Sequence, residues 1–199
     1  MWIILLCSVV ALGVFLERLI YLHRVSIRIG ELLGGLSLLI RNGRIAEALG
    51  ECSAMTGPVS RVLLAALLRP NEQREVLQSI TRDSALLEIP KLEKNLLILA
   101  TLAYVTPLVG LLGMVLGLLD AFLAVSAHGG YATAEELSRG VYESLLNASA
   151  GLAVAIPAFI GHSYLTSRVN DIIHDMERAG IEIVNLLTVP PTGGDQPGA

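Results

Sequence analysis

Residues Leu96 to Leu119 read LLILATLAYVTPLVGLLGMVLGLL, without one charged side chain. A helix needs about 20 apolar residues to cross the hydrocarbon core of a bilayer, and an uncharged run of about 18 or more is a candidate span. A second such run, Ser144 to Ser167, follows downstream, and His162 is its one side chain able to carry charge near neutral pH. A third, Met1 to Leu16, is shorter but continues through Glu17 and Arg18 into LIYL. The length of 199 residues would suit a single soluble domain, yet 53% of them are hydrophobic, only 16% are charged and the mean hydropathy is +0.65. Soluble domains average about 25% charged residues. The fold class expected is an all-α membrane protein with three transmembrane helices.

The first run has no basic region before it and no small-residue cleavage site straight after it, so it is read as a retained anchor and not a signal peptide. It ends in ERLIYLHR, where Tyr21, His23 and Arg24 mark an interface, with Trp2 at the other end. Ten of the chain's 14 Lys and Arg residues lie between His23 and Asn95, whereas Ser126 to Ser138 holds none and carries Glu135 and Glu136. The positive-inside rule then puts the N-terminus outside, the long segment inside, the short acidic loop outside and the C-terminus inside, in the cytoplasm. The expected order is a first span over 1–22, a cytoplasmic helical region over 23–95 and a second span over 96–125. A periplasmic loop over 126–138, a third span over 139–165, a cytoplasmic helix over 166–188 and a disordered tail over 189–199 follow.

Within the inner segment, SIRIGELLGGLSLLIR places Ile27, Leu32, Leu33, Leu36, Leu39 and Ile40 close to one helical stripe, and Asn42-Gly43 stops it. Arg44 to Met55 and Val59 to Leu68 read as two further short helices, parted by Gly57-Pro58. From Asn71 to Leu119 the one break signal is Pro90, so a single long helix with a kink there is expected. Long helices thus extend from the membrane into the cytoplasmic region.

Small residues mark the second and third spans. Gly113 and Gly117 form GxxxG, the spacing that lets helices approach closely in lipid, and Gly110 precedes them. Gly151 and Pro157 continue the theme in the third span, which with the second is expected to pack against protein while the Leu-rich first span faces lipid. Glu143 heads ESLLNASAGLAVAIPA and has two readings. As a surface group it pairs with Arg139 four residues earlier; as an intramembrane acid facing a protected cavity it handles ions. Asn147, one turn on, shares its face, whereas Ser149 is rotated away and is free to bond its own helix backbone. Asp120 is read as an interfacial acid or as a point of ion entry. No nucleophile elbow, phosphate loop, dinucleotide fingerprint or metal-ligand spacing occurs in the sequence, so no enzyme, catalytic residue, metal, cofactor or nucleic-acid partner is expected.

ERLIYL in the first span, LATLAYVTPLVGLLGMVLGLLDAF in the second and GVYESLLNASAGLAVAIPA in the third resemble the ExbB/TolQ/MotA family, with three spans placing the chain nearer ExbB and TolQ. The resemblance implies a homo-oligomer, a ring of five copies, around the single-span helices of an ExbD/TolR-like partner dimer. Ion flow would drive motion delivered to a TonB-like or TolA-like protein in the periplasm. It also implies that Glu143 is the family's third-span glutamate. The family's two pore threonines fall on Met114 and Ala148, neither of which can replace a hydroxyl. With Asn147 supplying the missing polarity the chain is a channel subunit; without it, a non-conducting scaffold of the same fold.

Overall fold

The computed structural model describes residues 2–26, 29–55, 57–127 and 134–188, and every regular element among them is a helix. In order these are α1 (Trp2–Ser26), α2 (Ile29–Arg41), α3 (Ile45–Ala54), α4 (Pro58–Leu67), α5 (Arg74–Glu93), α6 (Leu96–Ala127) and α7 (Ala134–Thr188). Three of them, α1, α6 and α7, are long and apolar enough to span a bilayer. Two compact units form: one from residues 1–19 and 95–166, the other from 20–94 and 167–199. The expected tail over 189–199, the centre of the expected loop (128–133) and Ile27 lie outside the described residues.

The second unit is built as a water-soluble domain is. Leu36 and Ile40 of α2, Val59, Val62, Leu63, Ala66 and Leu67 of α4, and Leu77 and Leu92 of α5 are buried. So are Val169, Ile172, Met176, Ala179, Ile183 and Val184 of α7, which recur every three or four residues and so line one helix face. Helix α2 stops where Asn42-Gly43 predicts. Gly43 takes φ +74°, its N–H bonds the Ile40 carbonyl at 3.0 Å, and the Arg44 N–H reaches the Leu39 carbonyl at 2.9 Å. That pair of bonds is a Schellman cap. Pro58 opens α4, where its missing N–H costs nothing. Between α4 and α5, the nearly buried Glu88 carboxylate meets Arg61 and Lys91, each at 2.6 Å. A carboxylate taken out of water needs such partners.

One expectation about helix breaks is corrected: the single helix expected from Asn71 to Leu119, with a kink at Pro90, is two helices, α5 and α6. Pro90 lies inside α5 and does not end it. Pro90 and Leu86, whose carbonyl loses its i+4 donor there, are both exposed, so water can serve the orphaned oxygen. The break falls instead at Lys94 and Asn95, where Asn95 takes φ +64°. Asparagine is among the few side chains that enter the left-handed region without severe clash. The expected third span and C-terminal helix run on as one continuous helix, α7, in keeping with long helices that extend beyond the membrane.

In the first unit, the expected contrast between a lipid-facing first span and protein-facing later ones does not hold within one chain. The most apolar window of each span is 17% buried in α1, 11% in α6 and 28% in α7. Helix α6 spends one narrow face on α7 and leaves Leu97, Leu108, Leu111, Leu112, Leu119 and Phe122 exposed. Phe15 of α1 lies against Gly161 of α7, and Tyr104 and Phe159 meet edge to face with ring centroids 6.1 Å apart.

Cys52 sits buried in α3, and desolvation, assisted by the neighbouring Glu51 carboxylate, pushes its thiol up from 9.0 to about 11. The folded chain therefore keeps a proton that the unfolded chain releases between pH 9 and about 11, so this contribution to stability is complete below pH 9 and fades across that window. In a Cys7→Ser background, a water-soluble maleimide at pH 8 is expected to label native protein about a hundredfold more slowly than denatured protein, the ratio a two-unit shift implies. Equal rates would show the thiol to be open.

Candidate functional site: the α6–α7 seam

The site follows from how closely two helices approach. A Cβ added to Gly151 would stand 2.9 Å from the Gly110 Cα and 3.0 Å from the Thr106 carbonyl. One added to Gly117 would stand 2.5 Å from the Ser144 hydroxyl, and one on Gly140 2.5 Å from the Ala121 Cβ. One on Gly113 would stand 3.2 Å from the Asn147 Cβ. Backbone meets backbone at Gly110 and Gly151, and at the other levels a glycine on one helix receives a small or polar side chain of the other, Asn147, Ser144 or Ala121. In lipid no hydrophobic force draws helices together, so this close van der Waals contact supplies the association.

The contacts run in opposite order along the two helices and so define an antiparallel register. At the level nearest the α6–α7 connection are Gly117 and Ala121 with Gly140 and Ser144. Asp120 and Glu143 are adjacent to these residues, so the register sets both carboxylates at that level. One turn further in, about 6 Å along the axis, Gly113 meets Asn147, with Met114 and Ala148 beside them. Gly110 and Gly151 lie a turn beyond. Pro157 is not part of the seam; it borders a hollow of about 280 Å³ shared with Ser8, Ala11, Leu12 and Phe15 of α1.

Glu143 and Asn147 share a nominal face but not an environment. The Glu143 carboxylate is exposed, with a side-chain accessibility of 60%, and one oxygen accepts from the Arg139 Nε at 3.3 Å. That is the surface pair the spacing predicts, and an exposed pair of this kind holds weakly. Asn147 is half-buried in the seam, and no hydrogen bond holds its amide among the described residues. Asp120 is exposed on α6, and Met114 and Ala148 are half-buried.

The other polar groups of the span are committed. Ser149 donates to the Leu145 and Leu146 carbonyls at 2.9 and 3.0 Å, as its rotation off the Glu143 face predicts. Ser144 donates to the Gly140 carbonyl at 2.7 Å and Thr106 to the Leu102 carbonyl at 2.6 Å. At the far end His162 is half-buried, with its Nε2 3.5 Å from the Thr166 hydroxyl. The arrangement thus offers two carboxylates at one level and one uncommitted amide a turn deeper. Carboxylates take up and release protons, and an amide both donates and accepts hydrogen bonds. Among the described residues no group of three His, Cys, Asp or Glu side chains is placed to hold a metal ion. Gly140, Ser144 and Ala121 were missed from sequence, although they continue the three-and-four spacing of the glycines that were found.

Three apolar helices and a seam of this kind define a multi-pass, α-helical membrane protein. A model of the MotA/TolQ/ExbB proton channel family matches residues 54–178, and the chain belongs to that family. It is 29% identical over 175 residues to a protein of Methanothermobacter thermautotrophicus described as a biopolymer transport protein ExbB homolog, covering 85% of this chain and 62% of that one. It is 30% identical over 161 residues to a Synechocystis protein described as ExbB-like, covering 77% and 73%. Over 88 residues it is 41% identical to the Tol-Pal system protein TolQ of Haemophilus influenzae, covering 44% and 38%. The chain therefore spans less than two thirds of the length of the archaeal and Haemophilus relatives.

Because the atoms facing Gly151 are backbone, nothing can swing aside for a larger residue. Gly151→Val is expected to lower stability in detergent by about 1–3 kcal/mol, the usual cost of overpacking, read as a fall in the midpoint of thermal unfolding. Gly13→Val, at a position with nothing within 4 Å, is the matched control and should change the midpoint little.

Proposed function

We propose that this chain is the channel subunit of an inner-membrane complex that couples the proton-motive force to mechanical work in the periplasm. Copies of it, five by family resemblance, would ring a dimer of an ExbD/TolR-like single-span partner, and a TonB-like or TolA-like protein would carry the work outward. The N-terminus would lie in the periplasm and the C-terminus in the cytoplasm. The relatives' names support both branches, since two refer to biopolymer transport and one to the Tol-Pal system.

The observation that carries the reading is the uncommitted Asn147 amide one turn below the level of Glu143 and Asp120, while Thr106, Ser144 and Ser149 each bond their own helix. In the proposed path Asp120 gathers protons at the mouth, Glu143 receives them from the outer side, and Asn147 orders water below it where Met114 and Ala148 contribute no hydroxyl. Glu143 suits this role because its carboxylate faces out of the single chain, toward whatever a neighbouring copy or partner presents. A carboxylate in such a shared, lipid-excluded space is costly and is kept for ion handling. The exposed apolar faces of α6 and α7 would be covered in the same assembly by neighbours, the partner's helices and lipid. The second reading, a non-conducting scaffold, draws on Met114 and Ala148.

The two separate in a proton-flux assay on proteoliposomes holding the chain with its single-span partner. The intact complex is expected to conduct, and Glu143→Ala to lower flux about tenfold or more, the scale of a lost proton relay. Unchanged flux in that variant would remove Glu143 from the path, and no flux from the intact complex would favour the scaffold. Ala148→Thr should raise flux if polarity at that level limits it.

A further inference from the structure

Asn95 stands out because nothing in its local sequence demands a break. It is the one non-glycine residue with positive φ among the described residues, it falls between two helices that the sequence pattern would join, and it costs the chain helix continuity. The backbone N–H groups of Leu96, Leu97 and Ile98 become the first turn of α6, which an α-helix leaves without internal acceptors; Leu99 is the first to regain one, on the Asn95 carbonyl at 3.3 Å. What opposes this loss comes from a distant part of the chain. The Asn95 Nδ2 donates to Glu17 Oε2 of α1 at 3.0 Å, and the same oxygen lies 3.6 Å from the Nε of Arg18, whose side chain is 4% exposed. A buried guanidinium thus helps fix the carboxylate that holds the asparagine.

We propose that Glu17 is a latch on a two-state helix break. Bonded to Glu17, Asn95 stays in the left-handed region and α5 and α6 are separate helices. Released, residues 94 and 95 turn helical, the orphaned N–H groups find acceptors one turn back, and the two helices run as one. The two states lie close because each satisfies what the other forfeits: a side-chain bond and an asparagine-tolerated φ on one side, a run of backbone bonds on the other. Glu17 acts here as a positioning residue, and its role is independent of whether the chain conducts.

The test is amide hydrogen exchange at Leu96, Leu97 and Ile98 in the full chain in lipid. Glu17→Ala is expected to slow exchange at these amides by about tenfold or more, as a helix terminus becomes a helix interior. Asn95→Ala, which removes the same bond and disfavours the left-handed region, should do likewise, so the outcome does not rest on one variant folding. Glu17→Gln keeps an acceptor and should leave exchange as in the parent chain, and Asn95→Gly tolerates positive φ without a latch and should remain fast. Exchange that is unchanged or faster in both alanine variants would overturn the proposal.

Discussion

The first unit depends on a contact between two backbones. Gly110 and Gly151 approach so closely that a methyl group on either would overlap the other helix. Lipid tails are as apolar as leucine, so burying leucine between helices gains little in a membrane, whereas close backbone packing gains dispersion contacts that lipid cannot match. Once that contact is made, the register of α6 against α7 is set. The register then determines which residues share a level: Asp120 with Glu143, and Met114 with Asn147 and Ala148.

The second unit obeys a different solvent. Its core of Leu63, Leu67, Leu77, Met176 and Ile183 is held by the removal of apolar surface from water. Among the described residues its one deeply buried carboxylate, Glu88, is matched by two cations. Both rules meet in α7, whose inward residues are small between Gly140 and Gly161 and large from Leu165 to Val184. The change in side-chain size along a single helix marks the change of environment more sharply than hydropathy does.

The second and third spans were legible from uncharged length, the first from a shorter run and its interface residues, and the core of the seam from glycine spacing. So were the α2 stop at Asn42-Gly43 and the self-bonded Ser149, because each depends only on residues within a turn of it. What sequence did not reveal depends on distance. The break at Asn95 comes with a hydrogen bond to Glu17, 78 residues away, and a lone asparagine is a weak local signal for it. Pro90 sent the opposite message, since a proline on an exposed face leaves its orphaned carbonyl to water. Ser144 and Gly140 went unremarked because their partners, Gly117 and Ala121, lie on another helix. Glu143 illustrates a further limit: its spacing predicts the surface pair with Arg139, which forms, and a face shared with Asn147, yet the amide sits in the seam and the carboxylate outside it.

The seam also bears on how such a chain enters a membrane. The most apolar window of α7 has a mean hydropathy of 1.6, against 2.4 for α1 and for α6. Glycine, asparagine and glutamate each make independent partitioning of that segment less favourable. The same residues lose much of that handicap once Gly113 and Gly110 cover Asn147 and Gly151. The unit of insertion is then the antiparallel pair and not the single helix, with α6 serving during biogenesis as the local solvent in which α7 first becomes a membrane segment.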